Sequence, residues 1–94
     1  MAIVWIPSLL RDLTGGRERV EVPGRTVGDV VAQLETLFPG IRQKLCNGNV
    51  LRHGITVAVD SEIARLGLNQ PVAENTEVHF LPALAGGNER VRVP

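Results

Sequence analysis

The sequence predicts an α+β roll, a mixed four- to five-stranded sheet packed on one main helix. Apolar, β-branched runs near the two ends of the chain, Ala2 to Pro7 and Glu77 to Pro82, read as strands. Between them, Val27, Val30, Val31, Leu34, Leu37 and Phe38 recur with helical period, and a further strand-like run, Ile55 to Val59, follows.

The opening run is too short for a helix and has the composition of a strand covered on most sides. Ser8 to Thr14 is a connection, with Leu9, Leu10 and Leu13 expected to anchor it to the core. Gly15-Gly16 signals a turn, and Arg19 to Val22 alternates so that Val20 and Val22 face inward. Strand, turn and strand make a hairpin that Pro23-Gly24 closes. Thr26 then caps the helix, with Asp29 completing a shortened capping box. Burying its six apolar side chains contributes on the order of 10–15 kcal/mol gross, before entropy. Pro39-Gly40 stops the helix, Ile41 and Leu45 suggest one more packed turn, and Asn47-Gly48-Asn49 is a tight turn. In the Ile55–Val59 strand, Ile55, Val57 and Val59 are expected inside, with Thr56, Ala58 and Asp60 outside. Ser61 to Asn69 is less regular, with Ile63, Leu66 and Leu68 available for packing. Glu74-Asn75-Thr76 is a polar turn before the last strand. The first and last strands are expected to be neighbours, joined across the helical crossover.

Ninety-four residues make one small domain. The apolar fraction of 44% supports a real core. Because Trp5, Phe38 and Phe80 are the only aromatic residues, that core is built mainly from Val, Leu and Ile. Ten basic and ten acidic residues cancel, which argues against nucleic acid as the main partner. No apolar stretch approaches the roughly 20 residues of a membrane span, and no apolar run follows a basic segment at the N-terminus. With one cysteine, Cys46, no internal disulfide framework is possible, and a cytoplasmic location is expected.

The stretch that points furthest toward function is Glu77 to Gly87. In its strand, Val78 and Phe80 share one face, His79 and Leu81 the other. Pro82 ends the pairing, and a small, flexible arm follows. Five extended residues reach roughly 16–18 Å, far enough to enter another protein's cleft. The chain therefore divides into a domain, 1–82, an arm ending in Gly-Gly, 83–87, and an extension, 88–94.

In this order the elements resemble the β-grasp, or ubiquitin-like, fold, and more narrowly the sulfur-carrier proteins of the MoaD and ThiS type. The residues that carry the resemblance are the opening strand with Leu10-Arg11-Asp12-Leu13-Thr14-Gly15, the helix start Arg25-Thr26-Val27-Gly28-Asp29-Val30, the strand Ile55-Thr56-Val57-Ala58-Val59, and the ending Glu77-Val78-His79-Phe80-Leu81-Pro82-Ala83-Leu84-Ala85-Gly86-Gly87. The ending is the specific feature.

The resemblance implies a protein cosubstrate and not an enzyme, with no bound cofactor or metal. The terminal glycine carboxylate attacks ATP on a ubiquitin-activating-type adenylyltransferase. The acyl-adenylate then becomes a thiocarboxylate, which a sulfur-acceptor synthase consumes in molybdopterin, thiamine or cysteine biosynthesis. A terminal carboxylate, with a pKa of about 3.3–3.7, is ionised at neutral pH and can act as a nucleophile. Ala85 and Gly86 would thread the activating enzyme's channel, the glycine because it lacks a Cβ. Here Gly87 is followed by Asn88 to Pro94, so its carbonyl belongs to an amide. The resemblance therefore implies a precursor, cut between Gly87 and Asn88 by a processing protease.

Gly15 to Pro23 and Gly86 to Pro94 share Gly-Gly-x-Glu-Arg-Val-x-Val-Pro, so the extension can also be read as an added edge strand, or the match as coincidence. The alternative function is a ubiquitin-like interaction module without acyl chemistry. Trp5, Ile63 and Leu81 are candidates for an apolar patch that docks the activating enzyme, against the plainer reading that some of them are buried. Arg11, Arg17, Arg19 and Arg25 could form a basic rim, though a solvated surface explains them as well. His53, His79 and Cys46 lack metal-ligand or nucleophile spacing and read as ordinary surface, strand and inert-thiol residues.

Overall fold

The structure, a computed structural model, describes residues 1–82. The elements are β1 (Ala2–Trp5), a 3-10 turn (Ser8–Leu10), β2 (Arg19–Val22), α1 (Val27–Leu37), α2 (Ile41–Leu45), β3 (Cys46–Asn47), β4 (Val50–Leu51), β5 (Ile55–Val59), β6 (Glu62–Ile63), a second 3-10 turn (Gly67–Asn69) and β7 (Glu77–Pro82). A five-stranded sheet runs in the order β2-β1-β7-β5-β6, and β3 and β4 form a separate pair. This is the expected β-grasp roll. β1 and β7 are parallel neighbours, Trp5 standing opposite His79, and the other pairings are antiparallel.

Alternation along these strands decides what the helix covers. Ala2, Val4, Val20, Val22, Val57, Val78 and Phe80 are buried on one face, where they meet Val27, Val30, Val31 and Leu34 of α1. The Thr26 hydroxyl accepts from the Asp29 N–H at 3.1 Å as the cap requires, while the Asp29 carboxylate reaches back one residue further than a capping box would, accepting from the Arg25 N–H at 3.1 Å. α1 ends at its C-cap Phe38, and Gly40, at φ +101°, is the left-handed residue that leads into α2, whose Ile41 and Leu45 are fully buried.

Several expectations need correction. Leu37 is 54% exposed. At about 100° per residue it lies some 80° from Val27, on the flank of the stripe, and it is the last helical residue. Four side chains of the stripe are fully buried, with Phe38 partly so. Leu9 does not anchor its connection. In the 3-10 turn adjacent residues point in different directions, so Leu10 goes inward and Leu9 is 85% exposed. Leu66 is 59% exposed, leaving Leu68 to pack on the core. Ala58, expected outside, is buried on the outer face, and Ile55 and Val59 are half-buried on the inner one.

The expected Asn47-Gly48-Asn49 turn joins a pair of short strands, and a second short hairpin follows β5. The Gly48 turn, at φ +67°, is flanked by the two-residue strands β3 and β4. Asp60 and Ser61, at φ 50° and 74°, make the turn between β5 and β6. Positive φ at both positions usually draws Asn-Gly or Asp-Gly, so Asp-Ser gave little warning. Asp60 tolerates it because its Oδ1 accepts from the Glu77 N–H at 2.9 Å, tying the turn to β7.

Candidate functional site

The sheet face opposite α1 carries the residues singled out for docking. Residues opposite one another on paired strands point to the same face. Pairing sets Arg19 beside Trp5, Trp5 beside His79, His79 beside Ala58, and Ala58 beside Ile63. One row thus crosses all five strands. Leu81, two residues beyond His79 on β7, shares this face. Ile63 is 59% and Leu81 41% exposed, whereas Trp5 is half-buried. The structure therefore brings all three predicted residues onto one surface.

His79, expected as an ordinary strand residue, lies at the centre of that row. Its ring stacks on the Trp5 indole with centroids 5.7 Å apart and planes 17° from parallel. Its Nε2 is 3.6 Å from a Glu77 carboxylate oxygen. Trp5 Nε1 is buried without a hydrogen-bond partner among the described residues, so packing and stacking hold the indole. The signal that could have joined Trp5 to His79 was the expected adjacency of the first and last strands together with the shared face of His79 and Leu81, since Trp5 and Leu81 were both docking candidates.

Charge at the edge of this face is paired. Arg19 meets Glu21 at 3.1 Å; Arg11 reaches Glu18 at 3.9 Å and donates from Nε to the Ile6 carbonyl at 3.2 Å. Arg17 and Arg25 are exposed. Two of the four arginines are thus matched by carboxylates.

Away from this face, Cys46 is buried beneath the β3–β4 hairpin, and burial pushes its thiol pKa up, against weaker opposing influences from Arg42 and Arg52. A protonated, covered thiol is a poor nucleophile. His53 is exposed. No group of three His, Cys, Asp or Glu side chains among the described residues could hold a metal ion. No helix among them is long and apolar enough to cross a membrane. Ala85, Gly86, Gly87 and Asn88 lie outside the described residues, as do the arm and the extension.

Residues 4–87 match the ThiS family. The chain belongs to the ThiS family. The match takes in nearly the whole described domain and runs on to the second glycine of the Gly-Gly pair, stopping before Asn88. The sulfur carrier protein CysO of Mycobacterium tuberculosis is 36% identical to this ThiS-family chain over 89 residues, covering 89% of the chain and 96% of that protein. Among solved structures, a chain of the Amycolatopsis orientalis BexX/CysO complex superposes with a TM-score of 0.85 at 36% identity, covering 93% of this chain and all of that one. The crystal structure of M. tuberculosis CysO gives a TM-score of 0.83 at 32% identity, covering 89% of this chain and 100% of that one.

Proposed function

We propose that this ThiS-family chain is a sulfur carrier, a protein cosubstrate whose acyl terminus is Gly87. The observation that carries the reading is the reach of the family match, which includes Gly86-Gly87 and leaves out Asn88 to Pro94. A protease first hydrolyses the Gly87–Asn88 amide. The freed carboxylate oxygen attacks the α-phosphorus of ATP on a ubiquitin-activating-type adenylyltransferase, and pyrophosphate leaves. A sulfide-level sulfur nucleophile then attacks the acyl carbon, the bond to the phosphate oxygen breaks, AMP departs, and a thiocarboxylate remains. A sulfur-acceptor synthase consumes it, with cysteine biosynthesis the destination that likeness to CysO favours. ATP belongs to the partner. No cofactor of the carrier's own enters the scheme.

The sheet face supplies the grip. Trp5, Ile63 and Leu81 dock the activating enzyme while Ala85 and Gly86 thread its channel. An apolar surface held by strands is rigid, so little ordering entropy opposes docking. The test compares the chain ending at Gly87 with the chain ending at Pro94, each given the cognate activating enzyme and ATP. The truncated form is expected to release pyrophosphate and then show the mass of a thiocarboxylate, and the extended form to do neither. Equal reactivity of the extended form would overturn the reading.

A further inference from the structure

Two cavities flank the point where β7 ends. One, of about 390 Å³, is lined by Trp5, Ser8, Arg11 and His79 together with Pro7, Leu9, Phe80 and Leu81. The other, of about 340 Å³, shares Pro7, Leu9, Phe80 and Leu81 and adds Leu10, Ile55 and Lys44. Leu9 and Leu81 therefore form an apolar ridge between two hollows at the root of the arm. Leu9 is 85% exposed, more than any other large apolar side chain among the described residues. No carboxylate lines either cavity among the described residues, and each holds a cation: Arg11, which also reaches Glu18 at 3.9 Å, in one, and Lys44 in the other. Lys44 forms no ion pair among the described residues.

We infer that this ridge is a second contact for the activating partner, separate from the Ile63 end of the sheet face, and that it takes an apolar segment bearing carboxylates. The inference rests on the sulfur-carrier reading for the identity of the partner. Charge complementarity selects the occupant. The chain's own extension carries Arg90 and Arg92 against Glu89, so it would bring like charge to Lys44 and Arg11. A second copy joined by two-fold symmetry would set one cationic ridge against another. An acidic, leucine-bearing segment fills the hollows with its apolar side chains and meets both cations with its carboxylates.

The test has two arms. In the first, the chain ending at Gly87 is assayed for pyrophosphate release with the cognate activating enzyme. Leu9→Asp and Lys44→Glu are each expected to raise KM about tenfold with kcat unchanged, Lys44→Arg to restore it, and Leu37→Asp, which lines neither cavity, to change neither. In the second, amide NMR of the full chain follows titration with a synthetic peptide of alternating leucine and aspartate, its leucine–lysine counterpart, and a peptide of residues 88–94. Shifts at Leu9, Lys44, Ile55 and Leu81 are expected with the acidic peptide alone. Unchanged KM in both charge variants overturns the inference, as do shifts with the basic or 88–94 peptides, or self-association through Leu9 in sedimentation. If no form of the chain releases pyrophosphate, the sulfur-carrier reading fails, and the peptide titration still judges the ridge. Leu9 and Lys44 are exposed, so a circular-dichroism melt will separate lost binding from lost folding.

Discussion

Glu35 lies outside the apolar stripe of α1, and from the sequence it is one more solvated charge. In the structure its carboxylate accepts from the Gly40 N–H at 3.0 Å and from the Arg42 N–H at 2.9 Å. It caps α2 from the preceding helix, a task Gly40 has no side chain to perform. The hydrogen bond from Arg42, and then that from Gly40, lower its pKa below the ordinary value of 4.5. Both favour the ionised form. A lowered carboxylate pKa contributes stability that is complete above the unfolded value and is lost as pH falls through the folded one. Glu35→Gln is therefore expected to be less stable than the parent at neutral pH. The two should converge as pH drops below 4.5, which urea midpoints measured across that range will show. A constant gap at all pH values would mean that the carboxylate's charge is not what matters.

At the scale of elements, α1 against the sheet is the main energetic contact. Leu34 is wholly buried at the centre of that layer. Leu34→Ala is expected to cost about 2–5 kcal/mol, from lost transfer energy and the cavity left behind, whereas Leu37→Ala, half-exposed on the flank, should cost under about 1 kcal/mol. Denaturant unfolding of the two variants checks both. The helix was legible because period, cap and stop signals agreed along one stretch. The β5–β6 and β3–β4 hairpins were not, since two-residue strands are too short to show a period and their identity lies in pairing partners elsewhere in the chain.

For the molecule as a whole, the question is what the sheet face grips. Trp5, His79, Ile63 and Leu81 come from strands far apart in sequence and meet only because β7 inserts between β1 and β5. If this face docks the activating enzyme, Ile63→Asp is expected to raise KM for the carrier about tenfold at unchanged kcat. Ile63 is 59% exposed, so its thermal midpoint should move little. His79→Ala, which removes the ring stacked on Trp5, is expected to raise KM as well and to change indole fluorescence in the free chain. Stacking without a fluorescence change on substitution would argue that the Trp5 ring is held by other contacts.

By itself the sequence determined the roll, the helix with its cap, the inward face of β2, the alternation of β7, and the family. Each of these depends on local period or on a contiguous motif, and such signals survive in one dimension. The exposure of Leu9, the capping role of Glu35 and the stack of His79 on Trp5 were decided by tertiary structure alone. They depend on which backbone end, turn direction or strand lies beside a residue, and residues dozens of positions away set that neighbour.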